Sequence, residues 1–235
     1  MNPEAARLTL PWKRLIAELA VIVAGVLIAL AADSWWEQRQ ERRRAEEYLQ
    51  QLLSDFRETE RGLQGAIAGD TEKLEAANRV IDRAYRGRFP PSDSLALPTG
   101  YHFFRPITGT LTALVQGGDL RLLDRDTLRF ELAEYLATID DIQTVLRHTE
   151  TMIWNSTERV TLARARHSQT ARRRAANGGS GWGQVDVAGA LNDPEIISAL
   201  QVQVAASQIR LFNLNRLEKP TAQLIRLIQA ALDHP

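Results

Sequence analysis

No cysteine occurs among the 235 residues of the chain. That excludes disulfides, thiol catalysis and cysteine-held zinc or iron–sulfur centres. It does not choose a compartment, because cysteine-free domains occur on both sides of a membrane. Histidine is scarce: His102, His148, His167 and His234 are the four. They have no close metal spacing and there is no HExxH pair, so no metal is expected. Net charge is also missing, since 29 basic residues balance 29 acidic ones. No global field therefore points to nucleic acid, which is not expected as a partner. A P-loop, a GxSxG elbow and a dinucleotide fingerprint are all absent. No cofactor is implied, and no segment alternates apolar and polar residues as a half-buried strand does.

What is present is one long apolar run, residues 15–36, in which Glu18 is the only ionisable group as far as Ala32. About 18 residues at a rise of about 1.5 Å cross a hydrocarbon core with help from the flanks. The flanks suit that role. Trp12 precedes the run, Trp35 and Trp36 close it, and Lys13 and Arg14 stand at one end as interface anchors. A buried soluble helix is disfavoured because Val, Ile, Leu and Ala cover every face. A cleaved signal peptide, with Ala29-Leu30-Ala31 as its cleavage pattern, is disfavoured by the length of the run and by its carboxylate. The chain is thus expected to divide into a short tail (1–14), a membrane span (15–36) and an extramembrane helical domain (37–235).

Projected at about 100° per residue, Glu18, Gly25, Ala29, Ala32 and Asp33 share one stripe, opposite Ile16, Val23, Leu27 and Leu30. Small residues let helices approach closely in lipid, and an intramembrane carboxylate is costly unless it faces protein or water. The stripe reads as a helix–helix seam, with copies of the chain or with another membrane-spanning protein. Alternatively, Glu18 reaches the interface near Lys13 and Arg14 and pairs there. A third reading gives Glu18 a conducting role in an oligomer. The arginines after the span are interleaved with acids, so the charge bias is slight. Lys13 and Arg14 beside the span favour a cytoplasmic N-terminus and a periplasmic domain.

Beyond Trp36 the three- and four-residue spacing of apolar positions continues through Leu49, Leu52, Phe56, Leu63 and Ile67 to Val80 and Ile81. No proline interrupts between Trp12 and Phe89, so the span is expected to run on as a long helix. Gly62, Gly65 and Gly69 are places to bend or restart, with Asp70 or Thr71 as a cap. A proline- and aromatic-rich loop is expected over about 87–107, then a short helix from Gly109 to Gln116 capped by Thr108 and ended by Gly117-Gly118. Asp124 or Asp126 starts a long amphipathic helix reaching to about Arg174. Its end carries Arg164, Arg166, Arg172, Arg173 and Arg174, which could touch an anionic surface. A flexible stretch at about 177–192 follows, and Asn192 or Asp193 with Pro194 opens the last helix, which Pro220 is expected to kink or split. The fold expected is all-α, with the span's continuation packed in an antiparallel bundle of about four long helices.

The best place for catalysis is around Tyr101, His102, Arg105, Asp119, Arg121 and Asp124. A histidine beside carboxylates can do acid–base work, but capping and ion pairing account for the same residues. Glu18, Gly25-Val-Leu-Ile-Ala-Leu30, Asp33 and Trp35-Trp36-Glu37, followed by a charged run and Tyr48-Leu-x-x-Leu52, resemble the span of a group of bacterial single-span membrane proteins with a domain of unknown function. Gly117-Gly118-Asp119-Leu120-Arg121-Leu122-Leu123, with Leu128 and Tyr135-Leu136, resembles them too. The likeness covers about the first 60 residues and the middle third. It implies bacterial origin and a place in the inner membrane, and no chemistry. The expected function is a membrane-anchored, non-enzymatic scaffold or sensor that forms a homo-oligomer. A subunit of an ion- or proton-conducting assembly and a membrane-tethered enzyme are the alternatives.

Overall fold

A computed structural model describes residues 12–87, 104–167 and 192–233, with the side chains of residues 13–17 and Arg164 left undescribed. Four α-helices and one 3₁₀ turn occur among them, and no strand. Helix α1 is Trp12–Arg86, α2 is Gly109–Gly117, α3 is Asp126–Arg166 and α4 is Pro194–Asp233; the 3₁₀ turn, Asp119–Leu122, lies between α2 and α3. The chain divides into two units, Met1–Tyr48 and Leu49–Pro235.

In the first unit, the described apolar side chains of α1 as far as Trp36 are all exposed. Helix α1 is long and apolar enough to cross a membrane, and none of its most apolar window is buried.

The second unit is a three-helix bundle. Helices α1 and α3 run parallel, as Phe56 against Tyr135 and Asp70 near Glu150 (through Arg210) require. Helix α4 runs antiparallel to both: Gln203 bonds Thr157, Arg210 bonds Glu150, and Tyr135 bonds Thr221. Every long helix presents an apolar stripe inward, including Leu52 and Leu63 on α1, Leu132 and Ile139 on α3, and Leu214 and Leu224 on α4. Among the described residues there are thus three long helices and one short one, where about four long antiparallel ones were expected. The parallel pair is joined by the segment between Arg86 and Asp126, which holds α2 and the 3₁₀ turn.

Several local expectations change. Gly62, Gly65 and Gly69 do not interrupt α1, which is unbroken from Trp12 to Arg86. A helical glycine costs only about 1 kcal/mol relative to alanine, which the packing of the stripe outweighs. Asp70 and Thr71 are accordingly not caps. Asp70 is buried, and the Thr71 hydroxyl donates to the Ile67 carbonyl. Thr108 stands at the start of α2 without a side-chain capping bond; its carbonyl accepts from the Thr112 amide at 2.8 Å. Helix α2 extends one residue further than expected, to Gly117, and Gly118 closes it in the left-handed region at φ +72°. Pro220 does not split α4. Thr221 beside it donates to the Leu217 carbonyl and also meets the Tyr135 hydroxyl at 3.0 Å, so the interrupted ladder is tied to α3. Asp193 fulfils the expected start of α4, its Oδ1 accepting from the Glu195 amide at 2.9 Å.

Candidate functional site

The stripe read as a seam lies on α1 within the first unit. Glu18, Gly25, Ala29, Ala32 and Asp33 are all exposed there. A Cβ built on Gly25 would meet no atom within 4 Å, so the surface is open at that point. The bulky residues between Leu19 and Leu30 are equally uncovered, from 48% exposed at Val23 to 73% at Val21. Trp12, Trp35 and Trp36 are exposed as well, and the Arg39 guanidinium lies 5.6 Å from the Trp35 ring centre. That contact joins the ring to a cation one turn on. Lys13 and Arg14 are helical, and their side chains lie outside the described residues.

The arginine group at the end of α3 is only partly described. Arg166 bonds the Glu195 carboxylate and lies 3.6 Å from Asp193, so it ties the end of α3 to the start of α4. His167 joins it, with Nε2 2.9 Å from Asp193 Oδ2. That hydrogen bond holds the Asp193 carboxyl below the ordinary carboxylate range, against a smaller upward push from burial. Arg172, Arg173 and Arg174 lie outside the described residues, as does the Arg164 side chain.

The proposed catalytic group is also divided. Tyr101 and His102 lie outside the described residues. Asp119 and Arg121 belong to the 3₁₀ turn and Asp124 follows it, exposed. Among the described residues, no group of three or more His, Asp or Glu side chains is placed to hold a metal ion.

The strongest electrostatic feature was missed by sequence reasoning. Arg210, wholly buried on α4, donates Nε to Asp70 Oδ2 of α1 at 2.5 Å and Nη1 to Glu150 Oε1 of α3 at 3.2 Å. One guanidinium so binds all three long helices. The Asp70 side chain is 1% exposed and that of Glu150 18%. Lys73 stands in the field of the group, and burial lowers its pKa more than Asp70 raises it. Nearby, Gln203 gives its amide nitrogen to Thr157 at 2.8 Å, while its Oε1 is a buried acceptor without a partner. The available signal was position: Gln203, Ser207 and Arg210 occupy the inward-facing steps between Leu200 and Leu214, where apolar residues belong.

The Asp70–Arg210–Glu150 group binds the three long helices together. Compared with known proteins, the chain matches no protein family, enzymatic or other, and no curated protein or solved structure.

Proposed function

We propose that the chain is a membrane-anchored, non-enzymatic helical protein that self-associates through the Glu18 stripe and its long helices and serves as a scaffold or sensor. The span occupies residues 15–36. Its place is the bacterial inner membrane, with the N-terminus cytoplasmic and the helical domain periplasmic. The observation that supports the reading is the bare apolar stretch of α1. Leu19, Val21, Ile22, Val23, Val26, Leu27, Ile28 and Leu30 are all exposed. Removing each from water is worth about 1.5–3 kcal/mol, so the set forgoes roughly 12–24 kcal/mol unless lipid or protein covers it. Lipid suits the bulky side, and a second helix suits the small side with its carboxylate.

The test is fractionation followed by mass. The expressed chain is expected to stay with membranes through alkaline carbonate washing, and a chain released into the wash has no span. The detergent-solubilised protein is expected to be a defined oligomer, with Glu18→Leu and Gly25→Leu each lowering its mass. A wild-type monomer removes the self-association seam, and also the conducting assembly that would be built on it.

A further inference from the structure

We infer that the helical bundle consists of two cooperative units in series, divided by the polar layer around Arg210, and that the half beyond this layer opens without the other. The inference is independent of membrane attachment. It rests on what the three helices present to one another along their length. From residue 203 to residue 213 the inward positions of α4 are Gln203, Ala206, Ser207, Arg210 and Asn213, all buried. Over about 15 Å of α4, therefore, no large apolar side chain is fully buried, Val204 and Leu211 being half-buried. Facing it, α1 contributes Asp70. Helix α3 contributes Glu150 with Thr149 and Ser156, whose hydroxyls donate to their own helix at Leu146 and Ile153. Among the described residues here, Ile153 is the large apolar group that is fully buried, while Ile67, Leu74 and Met152 beside Asp70 and Glu150 are half-buried.

On one side of this layer the core is built from large groups, among them Leu52, Phe56, Leu63, Tyr135 and Leu217. On the other it is a separate cluster that includes Ala77, Val80, Val160, Ala163, Ile196 and Leu200, with no aromatic among the described residues. Burial stabilises in proportion to apolar area, so the alanine-containing half contributes less per turn. The layer adds little net cohesion, because the attraction between buried charges is largely offset by their lost hydration. It transmits little packing as well, since cooperativity across a core depends on interlocking apolar side chains. Opening the outer half also gives water to the unpartnered Gln203 Oε1, which lowers the cost further. Such a half is a sub-global unfolding unit whose free energy lies below that of the whole bundle.

Native-state hydrogen exchange on the full chain in detergent, in rising sub-denaturing urea, tests this. Amides in 77–84, 160–163 and 199–204 are expected to exchange at least about tenfold faster than those in 52–63, 132–142 and 214–224, with a smaller dependence on urea. Equal rates and equal urea dependence in the two sets overturn the inference. The double variant Asp70→Leu/Arg210→Met, which fills the layer with apolar groups, is expected to bring the two sets within about threefold. If the double variant folds and keeps the wild-type difference, the layer is not the boundary and the inference fails. If the variant does not fold, the wild-type comparison decides alone.

Discussion

Replacing Asp70 by alanine takes one carboxylate from a guanidinium that has no exposed surface. Arg210 keeps Glu150, at 3.2 Å and partly open to water, but loses the shorter bond to the fully enclosed partner. Breaking a buried pair from one side costs about 3–5 kcal/mol, mostly because the remaining charge is left without compensation. The second contact retains part of this, so the expected loss for Asp70→Ala is about 3 kcal/mol. Arg210→Ala is expected to cost at least as much, since it strands Asp70 and empties the volume of a long side chain. Asp70→Leu/Arg210→Met removes the enclosed pair while keeping the space filled and leaves the Glu150 carboxylate to the water it partly reaches, and is expected within about 1 kcal/mol of wild type. The two sites are then coupled by several kcal/mol. Urea unfolding of the detergent-solubilised chain, followed by far-ultraviolet circular dichroism, measures all three. Single substitutions that each cost less than about 1 kcal/mol and simply add would refute the reasoning, because that is how a hydrated surface pair behaves.

Three further outcomes are expected. Asp193→Ala loses the cap of α4 and should cost about 1 kcal/mol in the same urea assay. Because the Asp193 pKa is lowered on folding, its contribution is present above the ordinary carboxylate pKa of about 4 and is lost as pH falls through the folded value. Acid titration of stability should therefore be flatter below about pH 4 in Asp193→Asn, and an unchanged slope would count against the bond to His167. The Tyr135 hydroxyl is pushed up by burial, with the Thr221 bond opposing, so stability should fall as pH rises beyond about 10, where the unfolded phenol ionises first. Tyr135→Phe should lose about 1 kcal/mol at neutral pH and remove part of that alkaline loss; a neutral effect at both ends would mean the hydroxyl is hydrated. Gly118→Ala, at φ +72°, should cost about 1–2 kcal/mol for backbone strain alone, and no change in the urea midpoint would show that the turn relaxes.

Much of the fold was legible because it follows from periodicity and from residues with strong local effects. The apolar run at 15–36, the stripe of α3, the Gly118 turn and the Asp193-Pro194 start of α4 each depend on a few adjacent positions. What was not legible depended on distant ones. The glycines of α1 and Pro220 of α4 weaken a helix locally, yet partners on other helices keep both helices whole. Asp70 was read as a cap because an aspartate after a glycine usually is one. Its actual partner is 140 residues away, and no local pattern reveals a pairing at that distance. The number of long helices and the parallel course of α1 and α3 also depend on which stripes meet, which spacing alone does not say. Of the seam and anchor residues, all those with described side chains lie on the exposed surface of α1.

The parallel arrangement of α1 and α3 has a consequence for synthesis. A ribosome adding about 5–20 residues per second completes α1 first. Arg210 appears 140 residues after Asp70, roughly 7–28 seconds later at that rate. Throughout this interval the inward stripe of α1 has a carboxylate in its middle with no arginine to receive it, so water stays on that face and the helix cannot bury it fully against a wrong neighbour. Helices α3 and α4, close in sequence and antiparallel, can meet as a hairpin before α1 joins them. Asp70 thus favours a late docking of α1, with Arg210 as the residue whose arrival permits it.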